Sequence, residues 1–277
     1  MKKMKRSSRL VDMTQYLLSR PHTLIPLTTF AEQYRAAKSS ISEDLAIIKE
    51  VFTSEGLGEL ITVTGAAGGV KYIPRAPKQQ SLAFIQRICA MLGQSERILP
   101  GGYLYITDLL GEPSIMQEVG RMFASAFADR ELDVVMTVET KGIPIAYATA
   151  SYLNIPVVIV RRDNKVTEGS AVSINYVSGS SKRIQTMSLA RRALSEEAKV
   201  LIIDDFMKAG GTIQGMMDLL KEFRATVQGV GVFVESEVPN KEEQLISDYV
   251  SLAKIAKIDQ KEKRIEVLPG NYFEMEG

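Results

Sequence analysis

Residues 200–212 read VLIIDDFMKAGGT, an apolar run that ends in two aspartates and leads into a glycine-containing turn. The run is typical of a buried strand, and the residues after it have the spacing of an amphipathic helix. Consecutive amides at a helix N-terminus, together with the helix dipole, form a site for phosphate. The two carboxylates repel phosphate and suit hydroxyl groups or a phosphate-bound divalent cation. The stretch predicts a site for a ribose 5-phosphate group; a generic turn between strand and helix is the simpler alternative.

The same alternation of apolar strands and helices extends from about residue 81 toward the C-terminus. Strands are predicted at residues 133–138, 155–162, 199–204 and 227–235. This pattern indicates an α/β fold in which helices cover both faces of a mostly parallel sheet. Ligands bind beyond the carboxyl ends of such strands. Three strand ends are therefore candidate site segments: residues 138–142, 161–162 and 204–205.

The first 74 residues predict three helices followed by a two-stranded wing. Helices are expected at residues 10–18, at residues 28–37 and from Ser40 onward. Ser40 and Glu43 fit a capping box, and only a short turn precedes them, as in a helix-turn-helix. The third helix should bury one apolar stripe, formed by Ile41, Leu45, Ile48 and Phe52. LITVTGAAGGVKYIP then predicts strand, glycine turn and strand, which completes a winged helix.

A winged helix inserts the start of its third helix into the DNA major groove, and its wing lies along the phosphate backbone. The N-terminal arm, with five basic residues and no acidic one among residues 1–9, also suits phosphate. DNA contacts are therefore expected from the arm, the third helix and the wing, namely from Lys5, Arg6, Arg9, Lys38, Ser39, Ser40, Ser42, Gly68, Gly69 and Lys71. The alternatives are a small helical interaction module and a disordered arm in solvent.

The composition is that of a soluble protein from a reducing compartment. The 277 residues are 45% hydrophobic and carry a formal net charge of +1, so overall charge does not indicate nucleic-acid binding. The single cysteine, Cys89, excludes an internal disulfide, and the single histidine, His22, has no companion ligands for a metal. No apolar run approaches the ~20 residues of a membrane span. We expect a cytoplasmic chain with no membrane segment and no metal held by the protein itself.

Three motifs resemble those of a known enzyme group. VLIIDDFMKAGGT is similar to the phosphoribosyl pyrophosphate (PRPP) motif of type I phosphoribosyltransferases. VETKGIPIAYATA resembles the pyrophosphate loop of the adenine and xanthine enzymes, with Lys141 where arginine is common, and VVIVRRDNKVTEGS resembles their next strand and the start of a hood. Together with KSSISEDL, LPGGYLYITDLL and RIQTMSLA, these motifs make nearly the whole chain resemble the purine operon repressors of Gram-positive bacteria.

The resemblance implies two domains, a winged-helix DNA-binding domain at residues 1–74 and a phosphoribosyltransferase-like effector domain at residues 75–277. Residues 74–80, PRAPKQQ, predict a linker, and residues 240–277 predict a charged helix-like stretch with an apolar end. Residues 163–191 correspond either to a flexible hood or to an ordered β excursion used in dimer contacts.

The resemblance also assigns effector-binding roles residue by residue. Asp204 and Asp205 would contact ribose hydroxyls, and Tyr103 and Phe206 would flank a base-like group. The 5-phosphate would lie in the loop formed by Lys208, Ala209, Gly210, Gly211 and Thr212, which follows Met207. Pyrophosphate would contact Thr140, Lys141 and Gly142, with Arg162 nearby.

Lys208 departs from the enzymes, which more often carry a small residue there. A lysine strengthens ground-state binding of a polyanion, whereas catalysis requires tighter binding of the transition state. The favoured hypothesis is a dimeric repressor without catalysis that binds paired half-sites on double-stranded DNA and is released by PRPP, with Mg²⁺ accompanying the effector. A working purine phosphoribosyltransferase and a sensor of another anionic nucleotide stay open as alternatives.

Overall fold

The structure, a computed structural model, describes residues 4–65, 68–101, 103–162, 169–177, 183–238 and 241–274. The chain divides into two compact units, with the boundary between Pro77 and Lys78, three residues beyond the predicted one. The predicted linker is shorter than expected, because Pro74 ends a strand and Lys78 begins a helix.

The first unit contains three helices and a three-stranded antiparallel sheet. In chain order its elements are α1 (Arg6–Leu18), β1 (Ile25–Pro26), α2 (Leu27–Tyr34), α3 (Lys38–Ser54), β2 (Gly58–Val63) and β3 (Gly69–Pro74). The strand order is β1-β3-β2. Two adjacent helices followed by a hairpin form the predicted winged helix, and β1 adds a short strand that the sequence pattern did not indicate.

The bounds of the helices differ from the predictions at several points, and α1 begins at Arg6 instead of residue 10. α2 ends at Tyr34 instead of residue 37, because Arg35 takes a left-handed conformation, with φ of 51°, that closes the helix. The prediction of a capping box was wrong, because α3 begins at Lys38 with Ala37 as its N-cap and Ser40 lies inside the first turn. The apolar stripe on α3 is confirmed, with all four side chains buried in the core of this unit.

A buried ion pair connects α1 to α3. The carboxylate of Asp44 is fully buried and accepts hydrogen bonds from the guanidinium groups of Arg9 and Arg6, the latter at 2.8 Å. Burial alone would raise the pKa of Asp44, but the hydrogen bonds and charges of Arg9 and Arg6 outweigh it and lower that pKa. Arg9 is itself buried. The expectation that Arg9 contacts DNA from a basic arm was therefore wrong, because its side chain is buried and neutralises Asp44.

The second unit is built around a six-stranded sheet. Its elements are α4 (Lys78–Leu92), β4 (Ile98–Leu99), β5 (Tyr103–Leu104), α5 (Thr107–Leu110), α6 (Pro113–Ala126), β6 (Val134–Val138), α7 (Ile143–Leu153), β7 (Val157–Val160), β8 (Ala171–Val177), β9 (Ile184–Ala190), β10 (Lys199–Met207), α8 (Gly211–Lys221), β11 (Thr226–Ser236), β12 (Val250–Asp259) and β13 (Arg264–Pro269). The strand order is β13-β12-β11-β10-β6-β7, and all neighbours are parallel except β12 and β13.

Helices cover both faces of this sheet, as predicted. Ile202 packs in a buried cluster with Ile213 and Met216 of α8. Successive residues of a strand face opposite sides, and Ile203 lies on the other side, where Phe123 of α6 closes over Gly231 so tightly that a Cβ there would meet its ring at 2.8 Å. The acid pair lies inside β10, close to its C-terminal end, because this strand runs three residues beyond its predicted end.

The C-terminal part differs most from expectation. The helix-like stretch predicted within residues 240–277 is wrong, because β12 and β13 occupy residues 250–259 and 264–269 as an antiparallel pair. Val250, Leu252 and Ala253 are buried beside β11, while Lys254 and Lys257 follow further along the strand. Burial of this apolar run against β11 therefore outweighs the helical spacing of the charges.

The predicted hood contains an antiparallel hairpin, formed by β8 and β9. Its base joins the main sheet, where the amide and carbonyl of Arg161 exchange hydrogen bonds with those of Ser188 at 2.9 and 2.7 Å. The β excursion thus describes these two strands, and residues 163–168 and 178–182 of the same prediction lie outside the described residues. Among the described residues, no helix has the length and apolar character needed to cross a membrane.

We predict that Asp44→Asn destabilises the first unit by about 3–5 kcal/mol, because Arg9 would keep a buried charge without a partner. The folded-state pKa of Asp44 is lowered. Its stabilising contribution is therefore present above the unfolded pKa of about 3.9 and is lost as pH falls through the folded value. Hydrogen exchange of α1 and α3 against pH measures both effects. Glu131→Gln, at an exposed ion pair, is the control, and an equal cost for the two variants would contradict the prediction.

Candidate functional site

The site lies at the carboxyl ends of three adjacent parallel strands. β10, β6 and β7 are neighbours in the sheet, so the segments that follow them meet at one edge. These are the acid pair near the end of β10 with the phosphate loop that follows it, residues 139–142 after β6, and Arg161–Arg162 after β7. The three segments proposed from the sequence are thereby brought together.

The acid pair is held in an environment that disfavours its charge. Asp204 is 3% exposed and Asp205 is half-buried. Burial, with the neighbouring carboxylate of Asp205 as a second cause, raises the pKa of Asp204 well above its usual value. Burial likewise raises the pKa of Asp205, and the charges of Lys141 and Arg162 act in the opposite direction. The cations from the other two strand ends thus lie close enough to compensate the pair.

The pyrophosphate-loop segment packs directly against the acid pair. A Cβ on Gly142 would lie 3.4 Å from a carboxylate oxygen of Asp204 and would overlap the hydroxyl of Thr137. Only glycine therefore permits this approach. The hydroxyl of Thr137 is buried and has no hydrogen-bond partner among the described residues. Thr140 and Lys141 are exposed beside it, and the peptide bond between Glu139 and Thr140 is cis.

Glu139 fixes the end of β7 relative to that of β6. Its carboxylate accepts a hydrogen bond of 2.8 Å from the amide of Arg162 and forms a 3.4 Å ion pair with the guanidinium of Arg161. The side chain of Arg162 stays exposed. Glu139 lay within the candidate segment 138–142, but no separate role was predicted for it.

The phosphate loop has the geometry of an anion site at a helix start. Gly210 adopts φ of 83°, and its carbonyl accepts the first hydrogen bond of α8, from Gln214 at 2.8 Å. The amides of Gly211 and Thr212 open that helix and have no partner within it. Lys208 is exposed and forms no ion pair with any described residue. Its ammonium group is thus available to an anion in the loop.

Three of the predicted effector residues are not brought into a shared cluster. Met207 is buried in the core cluster with Val138 and Val160, so its side chain supports the sheet and does not face a ligand. Tyr103 is exposed on β5, which pairs with β4. Phe206 is half-buried. Within the described part of the chain, no ring contact joins Tyr103 to Phe206, and their role beside a base-like group stays a prediction.

The start of α3 presents the predicted DNA-contacting side chains. Lys38, Ser39 and Ser42 are exposed, and Ser40 is partly exposed, all within the first five residues of the helix. Lys5 is exposed just before α1, and Arg6 is half-exposed although it pairs with Glu43 and Asp44. These positions are compatible with contact to phosphate or to base edges.

Glycine is required at two positions of the wing for a structural reason that the sequence did not indicate. A Cβ on Gly69 would overlap the carbonyl oxygen of Ile25, because β1 pairs with β3 at this point. A Cβ on Gly68 would lie 2.5 Å from the carbonyl oxygen of Val63. Close approach of two backbone segments therefore accounts for both glycines. Because Gly69 is buried, the expectation that it contacts DNA is corrected. Lys71 remains partly exposed on β3.

The described residues contain no group of three or more histidine, cysteine, aspartate or glutamate side chains placed to hold a metal ion.

Two features of this chain define a class of protein. One is a winged helix, and the other is a sheet whose edge combines a buried acid pair with a phosphate loop. Such a protein combines a fold used for nucleic-acid binding with a sheet edge whose groups suit a phosphate.

Comparisons with known proteins agree with the folds of both units. Residues 5–74 match the family "Bacterial purine repressor, N-terminal", and residues 106–268 match the phosphoribosyl transferase domain family. The purine biosynthesis transcriptional repressor PurR of Bacillus subtilis is 63% identical over 98% of this chain and 94% of its own length. The purine biosynthesis transcriptional activator PurR of Lactococcus lactis strain IL1403 is 47% identical over 98% of this chain and 99% of its own length.

A solved structure of similar fold is the adenine phosphoribosyltransferase of Thermoanaerobacter pseudethanolicus. It has a TM-score of 0.52 and 21% identity, and the match covers 61% of this chain and 98% of that one, which shows the fold alone. The chain belongs to the family of purine biosynthesis transcriptional regulators, with an N-terminal purine-repressor domain and a C-terminal phosphoribosyltransferase fold. The fold class and the family resemblance drawn from the sequence are confirmed.

We predict that Asp204→Asn stabilises the unligated protein at neutral pH, because it removes a charge that burial disfavours. The pKa of Asp204 is raised in the folded state. The wild type is therefore penalised progressively as pH rises from the unfolded pKa through the folded one, and the gain of the variant vanishes in acid. Chemical denaturation at several pH values measures this. Asp218→Asn on α8 is the control, and a loss of stability for Asp204→Asn at pH 7 would contradict the idea.

Proposed function

We propose that the chain is a DNA-binding repressor of purine biosynthesis genes, and that PRPP binds its second unit and weakens DNA binding. The observation that carries the proposal is the approach of Gly142 to the buried Asp204, beside the phosphate loop. Carboxylates suit ribose hydroxyls, the loop suits a 5-phosphate, and Lys141 and Arg162 suit pyrophosphate. One edge of the sheet thus offers a partner for each charged or polar part of PRPP.

PRPP is a polyanion and binds together with Mg²⁺ in this proposal. The carboxylates of Asp204 and Asp205 are the groups available to share a cation that the pyrophosphate carries. Hydroxyl donors also relieve the unfavourable burial of these carboxylates. Ligand binding therefore offsets a cost that the unligated protein bears, which supports a selective response to a sugar phosphate.

The direction of regulation follows the more similar relative. The Bacillus subtilis protein is named a repressor and shares 63% identity, whereas the Lactococcus lactis protein is named an activator at 47%. For PRPP to release DNA, it must bind the free protein more tightly than the DNA-bound protein, and DNA must weaken PRPP binding by the same factor. A homodimer on two half-sites is part of the proposal, since two-fold symmetry matches paired sites.

A purine phosphoribosyltransferase is the second candidate, and the match of residues 106–268 to the phosphoribosyl transferase domain favours it. Two features support a sensor without catalysis. Lys208 adds a cation that strengthens ground-state binding, and the closely similar full-length relatives are named as regulators. Pyrophosphate release from PRPP with adenine, hypoxanthine, guanine or xanthine would establish the enzyme.

The proposal is tested by binding of the full-length protein to a purine-gene promoter fragment, with and without PRPP and Mg²⁺. We expect a specific complex that millimolar PRPP dissociates. Lys38→Ala should weaken DNA binding and reduce its salt dependence by about one phosphate contact, whereas Lys49→Ala, further along α3, should change neither. DNA binding that is indifferent to PRPP would refute the sensor, and another nucleotide that displaces PRPP would identify a competing signal.

Lys208→Ala should weaken PRPP binding about tenfold, because a charge-assisted contact to phosphate contributes roughly 1.5 kcal/mol at a partly exposed site. The variant should bind DNA as the wild type does and require about tenfold more PRPP for release. Calorimetry and promoter binding measure the two effects. Lys221→Ala at the other end of α8 is the matched control. Release of Lys208→Ala at the wild-type PRPP concentration would show that the lysine has no such role.

A further inference from the structure

A chain segment between β11 and β12 lies against the back of the phosphate loop. We call residues 244–249 the backing segment. The amide of Leu245 donates a hydrogen bond of 2.9 Å to the carbonyl of Ala209. Ile246 is buried, and its side chain lies beside Gly210. The sequence left this region without a role, and the structure brings it to the loop across more than thirty residues of chain.

The hydrogen bond to Ala209 orients the amide of the next residue. The carbonyl of Ala209 and the N–H of Gly210 belong to one planar peptide unit, in which the two groups point in opposite directions. Because the carbonyl is held by Leu245, the N–H of Gly210 is turned away from the backing segment. This amide is one of the donors at the start of α8 that an anion would use.

Ile246 leaves room for glycine alone at position 210. A Cβ there would lie 2.7 Å from Cγ1 of Ile246, and the φ of 83° at Gly210 is itself unfavourable for other residues. The side chain of Ile246 is only 4% exposed and belongs to the core cluster that includes Met207 and Ile213. The loop therefore rests on a packed wall that resists inward movement.

Hydrogen bonds anchor the backing segment to the strand beside β10. The hydroxyl of Tyr249 donates to the carboxylate of Glu235 and accepts from the side-chain amide of Gln244 at 3.0 Å. Glu235 is buried near the end of β11, directly opposite Met207 of β10. Burial, followed by the hydrogen bond to Glu235, raises the pKa of Tyr249 to about 12, so the phenol remains a donor at neutral pH.

The carboxylate of Glu235 has a second donor that keeps it in place. The hydroxyl of Ser251 bonds to it at 2.9 Å, and the side chain of Asn271 bonds to the carbonyl of Tyr249 at 2.8 Å. The C-terminal end of the backing segment is thus tied to the end of β11, and Gln244 at its other end is tied to Tyr249. Displacement of the segment would break a buried polar network, which is costly.

We propose that the backing segment sets the anion-binding conformation of the phosphate loop. In this proposal Ile246 and Tyr249 are positioning residues for the effector phosphate, although neither touches it, and the amide of Leu245 aims the amide of Gly210. The inference rests on the proposed function, because it takes PRPP as the ligand of the loop.

The test compares PRPP affinity among variants of the full chain, by calorimetry with Mg²⁺. Ile246→Ala removes the wall behind Gly210 and should weaken PRPP binding about tenfold, and Ile246→Val should restore most of the affinity. Tyr249→Phe, which removes the donor to Glu235, should also weaken it. Ile85→Ala is the matched control, since Ile85 is equally buried in the same unit but lies on α4.

The control separates loop positioning from general destabilisation. Both Ile→Ala variants should lower the Tm of the unligated protein, whereas Ile246→Ala alone should weaken PRPP binding. Wild-type affinity for Ile246→Ala, or an equal loss for Ile85→Ala, would overturn the inference and leave the proposed function intact. A wild-type protein that does not bind PRPP would overturn the proposed function and this inference with it.

Discussion

Burial of two adjacent carboxylates at the end of β10 is the constraint on which the site depends. Removing a carboxylate from water is costly, and a second one beside it adds repulsion. The fold bears this cost because β10 is held between β6 and β11, so Asp204 cannot turn outward without breaking the sheet. Two surrounding features accompany this burial. Gly142 lets the neighbouring loop approach Asp204, and the positive charges of Lys141 and Arg162 favour the ionised form of Asp205.

The sequence predicted the elements whose signal is local. The apolar run before Asp204 and the stripe on α3 each depend on neighbours a few residues away, and both were right. Features set by distant partners could not be predicted. Arg9 belongs to a basic run by sequence, and only the buried Asp44, 35 residues away, gives it a structural role. β12 was missed because its lysines interrupt an apolar run whose burial depends on β11.

The same reasoning explains which part of the ligand site could be predicted. Motifs after strands identified the acid pair, the phosphate loop and the segment around Gly142. Ile246, which supports the phosphate loop from behind, lies far from it in the sequence and belongs to no motif, and the hydrogen bonds of Glu139 could not be predicted from the motif that contains it. A related protein named an activator matches this chain over nearly its whole length. The names of such relatives thus differ in the direction of regulation, although their sequences match this chain over nearly its whole length.

The Asp44 ion pair ties the beginning of α1 to α3. Both cations that neutralise Asp44, Arg6 and Arg9, lie within the first ten residues. Proteolytic trimming past Arg9 would therefore strand a buried negative charge on α3 as well as remove the basic arm. The N-terminal residues resemble a dispensable tail, but in this protein they are a structural component of the first unit. Their loss would disable DNA recognition by destabilising the domain itself.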